Sequence, residues 1–137
     1  MITTKGRYAL RVMIDLAEHR DAGCIPLKDI AERQGISKKY LEILAKDLVA
    51  GKLILATSGR GGGYRLTREP DKYPVGEILE RMEGSLASVS CLSGSSNTCP
   101  RASVCPTLPL WEEYDRMIRD FFFGKTLTDL LKPGRQN

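Results

Sequence analysis

The stretch IPLKDIAERQGISKKYLEIL, residues 25–44, decides the fold of this 137-residue chain. Its apolar residues recur at helical spacing on both sides of Gly35, which suits the left-handed end of a helix. Ser37 can then cap a second helix. The predicted inner faces are Leu27, Ile30 and Ala31 in the first helix and Leu41, Leu44, Ala45 and Leu48 in the second. Two short helices joined by a tight turn that contains glycine predict a helix-turn-helix.

A β-hairpin is predicted directly after this motif. LILAT at 53–57 and YRL at 64–66 have strand character, and SGRGGG at 58–63 is typical of a turn. A hairpin in this place is the wing of a winged helix. Its glycines allow a close approach to a ligand, and Arg60 can enter a narrow minor groove of DNA. The alternative is a flexible turn in which Arg60 serves solubility. A nucleotide-binding P-loop is not predicted, because a strand follows where GxxxxGK[ST] leads into a helix.

The start of the second motif helix breaks a local rule. Lys38 and Lys39 occupy its first two positions, where the helix dipole disfavours each cation by about 0.3–1 kcal/mol. DNA phosphate would compensate for this cost, since free N–H groups and lysines would face it together. The predicted DNA-contacting residues here are Ser37, Lys38, Lys39 and Tyr40. The alternative interpretation is a solvated surface turn.

The elements outside the motif are helices too. We predict one from Thr3 or Thr4 to about Arg20, and a short one, PVGEILERM, at 74–82. A long helix runs from about Pro109 to Gly124, and a last turn follows it. The apolar stripe of the long helix is Trp111, Tyr114, Ile118 and Phe121. Its spacing resembles a heptad repeat, and with little of its own chain to cover it we expect a second subunit there.

Composition and charge exclude several classes of protein. The chain is 42% hydrophobic and 28% charged, as soluble globular proteins are. No run of about 20 apolar residues could span a membrane, and no secretory signal is recognisable, so we expect a cytoplasmic protein. Residues 1–66 hold twelve Lys and Arg against seven Asp and Glu, whereas the remainder is nearly neutral. A basic N-terminal half favours a partner that carries phosphates.

Three of the four cysteines lie close together in the sequence. Cys91, Cys99 and Cys105 follow the pattern C-x7-C-x5-C within a loop rich in Ser and Gly at 84–106. An odd number of thiols cannot pair off completely, so metal binding is favoured over a disulfide framework. Thiolates suit iron–sulfur clusters and zinc alike, although structural zinc requires four protein ligands. The alternatives are an empty or disulfide-linked loop. Cys24 is expected to be a small buried apolar residue.

These segments together resemble one known family. TKGRYAL at 4–10, the stretch at 25–44, GRGGGYRL at 59–66 and the three cysteines are similar to the Rrf2 (BadM/IscR-like) transcriptional regulators. The resemblance spans residues 1–131 and implies a dimeric winged-helix regulator, expected to act as a repressor. It implies DNA contacts at residues 37–40 and in the wing. Members of the IscR type often have arginine just before the first glycine of the wing tip, where this chain has Ser58.

The resemblance also implies a cofactor for the cysteines. In cluster-binding members, three cysteines hold a [2Fe–2S] or [4Fe–4S] cluster with a fourth ligand that is not cysteine. Some members carry a histidine three residues after the last cysteine, where this chain has Leu108. Others carry an aspartate early in the first helix, where it has Arg7. The fourth ligand stays open among Glu112, Glu113, His19, Cys24 and an external molecule.

The sequence therefore predicts a mainly α-helical protein with a small β-hairpin. Residues 1–73 form a winged helix-turn-helix domain, 74–108 a short helix and the cluster-binding loop, and 109–137 the dimerisation helix and tail. As a homodimer it would bind a pseudo-palindromic operator in double-stranded DNA, and its cluster would sense iron–sulfur, redox or nitric oxide status. The alternatives are a clusterless regulator that responds to thiol oxidation or a metabolite, and an iron–sulfur electron carrier or enzyme. Against the last, we find no nucleophile–base pair and no nucleotide fingerprint.

Overall fold

The computed structural model describes residues 1–94, 96–97 and 99–131, so residues 132–137 of the predicted C-terminal segment lie outside the described residues. The helices are α1 (Thr4–Glu18), α2 (Leu27–Gln34), α3 (Lys38–Ala50), α4 (Val75–Glu83) and α5 (Leu108–Phe123). The strands are β1 (Ile54–Thr57) and β2 (Gly63–Leu66). Short 3₁₀ turns lie at Arg20–Ala22, Pro70–Lys72, Ser90–Leu92 and Leu127–Leu130. In the described part of the chain, no helix is long and apolar enough to cross a membrane.

The helix-turn-helix is where the sequence predicts it. Gly35 ends α2 in the left-handed region with φ +65°, and its N–H donates to the carbonyl of Ala31 at 2.9 Å. The Ser37 hydroxyl accepts the N–H of Tyr40 at 3.2 Å and so caps α3. The predicted inner face of α3 is buried, as is Ile30 of α2. The prediction of two helices, their turn and their cap is confirmed.

The wing is attached to the helix-turn-helix through a backbone bridge. β1 and β2 are antiparallel, with Ile54 opposite Leu66 and Thr57 opposite Gly63. Ile25 exchanges two hydrogen bonds with Tyr64, from N–H to carbonyl at 2.8 Å and back at 2.9 Å. A Cβ at Gly63 would overlap the Ile25 carbonyl, so glycine is required there. The bridge fixes the base of the wing against the segment that leads directly into α2.

α1 begins at a carboxylate supplied by a distant helix. The sequence predicts that this helix starts at Thr3 or Thr4, and Thr3 occupies the capping position without a hydrogen bond from its own side chain to the helix. The cap itself is Glu83, which accepts the N–H of Thr3 at 2.8 Å and of Gly6 at 3.0 Å. The α-helix ends at Glu18, earlier than predicted, and the chain continues as the 3₁₀ turn. Glu83 is the last residue of α4, so it joins this helix to α1 just before the cysteine loop begins.

Tyr73 is a core residue that the sequence does not indicate. The segment at 69–74 has the composition of a linker, yet the Tyr73 side chain is completely buried. Its hydroxyl donates to the carbonyl of Leu53 at 2.7 Å and accepts the N–H groups of Thr67 at 2.8 Å and Arg68 at 3.1 Å. Tyr73 therefore joins the start of β1 to the chain that leaves β2.

α5 lies on the outside of the described chain. All of its sixteen residues are described, and none is fully buried. It packs against α4, where Arg119 forms an ion pair with Glu80 at 2.6 Å. The predicted stripe is partly wrong, because Trp111 and Ile118 are half-buried whereas Tyr114 and Phe121 are exposed. The large exposed residues are Leu110, Tyr114, Met117 and Phe121, which follow one another at spacings of four, three and four. In the last turn, the N–H of Thr126 donates to the Asp129 carboxylate at 2.8 Å.

Candidate nucleic-acid interface and cysteine loop

The first turn of α3 presents two lysines to solvent. Ser37, Lys38 and Lys39 are exposed, whereas Tyr40 is half-buried, with its ring edge-on to that of Tyr8 at 6.0 Å between centroids. The lysine side chains form no hydrogen bond or ion pair within the described part of the chain. Two cations therefore stand at the positive end of the helix dipole without an internal counter-charge, which makes the site attractive to an anion.

The wing carries further cations. Arg60 lies exposed at the tip and forms no ion pair with the described residues. Arg65 of β2, opposite Leu55, is exposed as well, and the sequence analysis missed it. The alternation of Tyr64, Arg65 and Leu66 is the signal that could have found it, because neighbouring side chains in a strand point to opposite faces. The wing thus has two exposed arginines rather than one.

A buried carboxylate sets the position of α2 against α1. Asp15 is completely buried and accepts two hydrogen bonds from Arg33, at 2.9 and 2.7 Å, and one from Gln34 at 2.9 Å. Burial raises the pKa of Asp15, but the hydrogen bonds from Arg33 and Gln34 and the charge of Arg33 outweigh it, so the pKa lies below its ordinary value. Arg11 adds hydrogen bonds from α1 to the side chain and carbonyl of Gln34. These contacts join the first helix of the motif to the core.

We expect Asp15→Asn to lower the free energy of unfolding at pH 7 by about 1.5–3 kcal/mol, the usual value of a hydrogen bond to a charged group. Because the folded pKa of Asp15 is depressed, the wild type holds this stability above about pH 4 and loses it as pH falls through the folded value. The variant should therefore show a smaller loss in acid. Urea unfolding at several pH values measures both effects, with the exposed Asp21→Asn as the control. Parallel pH profiles for Asp15→Asn and wild type would contradict the role of this carboxylate.

The three loop cysteines are partly accessible to solvent but do not lie together as a set of metal ligands. Cys91, Cys99 and Cys105 are free and half-buried, with Cys91 inside the 3₁₀ turn at Ser90–Leu92. Among the described residues, no three Cys, His, Asp or Glu side chains lie close enough together to hold a metal ion. The donor set fits an iron–sulfur cluster in its chemistry, since thiolates are the usual ligands. The arrangement of the three cysteines in this structure does not fit a cluster, so the loop would have to rearrange to bind one.

Cys105 lies beside a hydroxyl group that affects its thiol. The Thr107 hydroxyl lies 3.4 Å from its sulfur, and this hydrogen bond, with others from the backbone of Thr107 and Leu108, lowers the pKa of the Cys105 thiol. Thr107 immediately precedes α5. A lowered pKa increases the thiolate fraction, which is the form that attacks oxidants and binds metals.

The candidates for a fourth ligand are dispersed. His19 is held at the end of α1, with Nδ1 2.8 Å from the carbonyl oxygen of Asp15. Cys24 is half-buried, so its prediction as a buried apolar residue is wrong; it lies in the exposed turn that ends before Ile25. Glu112 and Glu113 are exposed on α5. None of them is placed with the loop cysteines in a group of three metal-binding side chains among the described residues.

The cysteine loop is attached to the helices near both of its ends. Glu83, directly before the loop, caps α1. The N–H of Ser88 donates to Asp115 of α5 at 2.9 Å. At the far end, Cys105 contacts Thr107 at the start of α5. The loop therefore contacts α5, and it begins directly after the residue through which α4 contacts α1.

A helix-turn-helix followed by a bridged β-hairpin defines a winged helix-turn-helix protein. Comparison with known proteins gives the family: the chain belongs to the Rrf2 family, described as iron-dependent transcriptional regulators, whose model matches residues 2–133. The chain is 38% identical over 130 residues to the HTH-type transcriptional regulator IscR of Aliivibrio salmonicida. The aligned residues cover 95% of this chain and 76% of that protein.

Two solved structures are similar over nearly the whole chain. CymR, the global cysteine regulator of B. subtilis, matches with a TM-score of 0.77 and 33% identity over 96% of this chain and 95% of that one. T. potens IscR matches with a TM-score of 0.77 and 35% identity over 99% of this chain and 89% of that one. The family resemblance and the winged-helix fold are thus confirmed. Like these relatives, the chain is a transcriptional regulator and not an enzyme.

Proposed function

We propose that this regulator binds an operator in double-stranded DNA through the first turn of α3 and the wing. Lys38 and Lys39, exposed and without an internal counter-charge at the start of α3, are the observation that carries the proposal. In helix-turn-helix proteins, the N-terminal residues of the second helix contact base edges in the major groove. Ser37 and Tyr40 flank the two lysines and share this role, while Arg60 enters the adjacent minor groove.

The charge on this surface accounts for binding to phosphate. The lysines of α3 and the wing arginines at 60 and 65 provide four exposed cations, and β1 of the wing packs against α3. Neutralising phosphates releases counterions, which makes affinity fall with salt. The two lysines at its start would weaken an isolated α3, so DNA would supply the compensation that the protein lacks.

Lys38→Ala and Lys39→Ala should each weaken operator binding and reduce its salt dependence. Each phosphate contact contributes about 0.9 to the slope of log K against log salt, so a dimer that loses one contact per subunit should lose about 1.8. Titrations at four salt concentrations measure the slope. Lys72→Ala, an exposed lysine outside both elements, is the matched control and should keep the wild-type slope. Wild-type slope and affinity in both α3 variants would refute α3 as the DNA-contacting helix.

We propose that α5 joins two chains into a homodimer. The exposed stripe of Leu110, Tyr114, Met117 and Phe121 has heptad spacing, which favours packing against a second helix. Apolar grooves of about 350 and 410 Å³ flank α5, where it meets Leu10 and Val75 on one side and Met1 and Ile2 on the other. Two winged heads would then bind two half-sites of a pseudo-palindromic operator.

We propose that Cys91, Cys99 and Cys105 hold an iron–sulfur cluster in the functional protein. The number and type of the donors and the family's description as iron-dependent support this. When bound, the cluster would supply a centre sensitive to iron–sulfur, redox or nitric oxide status. Binding would require the loop to order around three thiols. Because the loop follows directly on α4 and contacts α5, that ordering can change how the two heads are spaced.

A clusterless thiol sensor is the second candidate. The lowered pKa of Cys105 favours it, since a thiolate reacts with oxidants where a thiol does not. The similarity to a global cysteine regulator supports it as well. The two candidates differ in one measurable property: only the first takes up stoichiometric iron and sulfide under anaerobic conditions.

A further inference from the structure

Ile43 is a large apolar side chain displayed on the outer face of α3. Its exposed fraction is 53%, whereas Leu41, Leu44 and Leu48 of the same helix are completely buried. It forms no part of the apolar core of the described chain. A single exposed apolar residue is ordinary on a protein surface. This one calls for an explanation because of where it lies.

The position of Ile43 is next to the proposed DNA-binding turn. It follows Tyr40 by three residues and Lys39 by four, so the three side chains share one face of α3. At 1.5 Å per residue, it lies about 9 Å along the helix from the capping Ser37. A helix whose first turn enters a major groove about 12 Å wide brings a side chain at that distance close to the bases. Lys46, exposed one turn further on, continues the same face.

We propose that Ile43 contacts the C5-methyl group of a thymine in each operator half-site and so determines specificity at that base pair. Among the groups displayed in the major groove, the thymine methyl is the apolar one, and apolar side chains recognise it by contact. Cations on the same face hold the helix on phosphate without regard to sequence. Ile43 adds a contact that a cytosine in the same place does not offer. The inference rests on the proposed function of α3.

The test uses deoxyuridine, which lacks only the methyl group of thymidine. The full chain first selects its duplex from a random pool, and each thymine of the half-site is then replaced in turn. For the wild type we expect one position at which deoxyuridine weakens binding by about 4-fold, the equivalent of one buried methyl group. Ile43→Ala should bind the thymine duplex more weakly by at least that factor and should be insensitive to deoxyuridine at that position.

Two controls separate this contact from general DNA binding. Lys38→Ala should bind more weakly yet keep the full sensitivity to deoxyuridine. Because Ile43 is exposed, Ile43→Ala should unfold at the wild-type temperature. Equal sensitivity of Ile43→Ala and wild type at every thymine, or no sensitivity in the wild type, overturns the proposal while the function of α3 stands. Failure to enrich any duplex overturns the proposed function and this contact with it.

Discussion

Replacing both Leu110 and Met117 with glutamate is expected to convert the dimer into a monomer and to lower operator affinity by at least about 100-fold. These residues are 59% and 66% exposed in the single chain and lie seven residues apart on α5, so the substitutions leave the fold of the protomer intact. In a dimer they would bury four carboxylates without partners. Loss of the dimer removes the gain from binding two linked half-sites, which is typically 10²–10⁴-fold.

Arg116→Glu is the matched control for this variant. It changes the net charge per chain by the same amount, −2, on an exposed face of α5 away from the stripe. It should remain dimeric, with operator affinity much closer to that of the wild type. Sedimentation equilibrium gives the mass, and titration of the selected duplex gives the affinity. A Leu110→Glu, Met117→Glu protein that stays dimeric would show that another surface joins the chains.

Cys91→Ser, Cys99→Ser and Cys105→Ser should each abolish the visible absorption of protein reconstituted anaerobically with iron and sulfide. Three thiolates leave none to spare, so the loss of one removes the site rather than weakening it. Operator affinity should then change in the same direction in all three. A cluster regulates only through its differential affinity for the DNA-competent and incompetent states, and DNA must change cluster stability by the same factor.

Cys24→Ser is the control, because Cys24 is far in sequence from the three loop cysteines and lies in the turn before α2. It should keep the iron content, the absorption and the operator affinity of the wild type. A wild-type protein that takes up no iron or sulfide would refute the cluster. If its DNA binding still responded to peroxide and Cys105→Ser removed that response, the thiol-sensing alternative would be established.

The helix-turn-helix could be predicted because its signals are local. Gly35 and Ser37 mark the end of one helix and the start of the next within three positions, and each acts on backbone groups beside it. The wing was predictable for the same reason, since apolar strands flank a run of glycines. The structure places both where the sequence does.

The contacts that fix these elements to one another could not be predicted. Glu83 caps a helix that begins about 80 residues earlier in the chain, and Tyr73 is buried within a segment of linker composition. In the sequence, Asp15 has the character of a solvent-facing residue of an amphipathic helix. In the fold, Arg33 and Gln34 of α2 pack against it and donate hydrogen bonds to it. All three depend on tertiary packing, which residue spacing does not encode.

The candidate site was predicted in part. The lysines of α3 stood out because they break the charge rule for helix N-termini, whereas Ile43 and Arg65 obey every local rule and become informative only through their exposure. On α5, the periodicity predicted an apolar face but could not show which apolar residues the rest of the chain covers. The exposed stripe is therefore shifted from the predicted one. The three cysteines are close in sequence, but among the described residues they do not form a group of side chains that could hold a metal ion.

The ratio of dissociation constants for the selected duplex and a scrambled duplex of equal length, at one fixed salt concentration, tests the central claim most directly. A regulator that contacts bases through α3 should prefer its own duplex by at least about 10³-fold. Substituting Ser37, Lys38, Lys39 and Tyr40 together with alanine should weaken binding to the selected duplex and lower the ratio. A ratio near one in the wild type, or a wild-type ratio in the fourfold variant, would contradict the assignment of α3 as the element that recognises the operator.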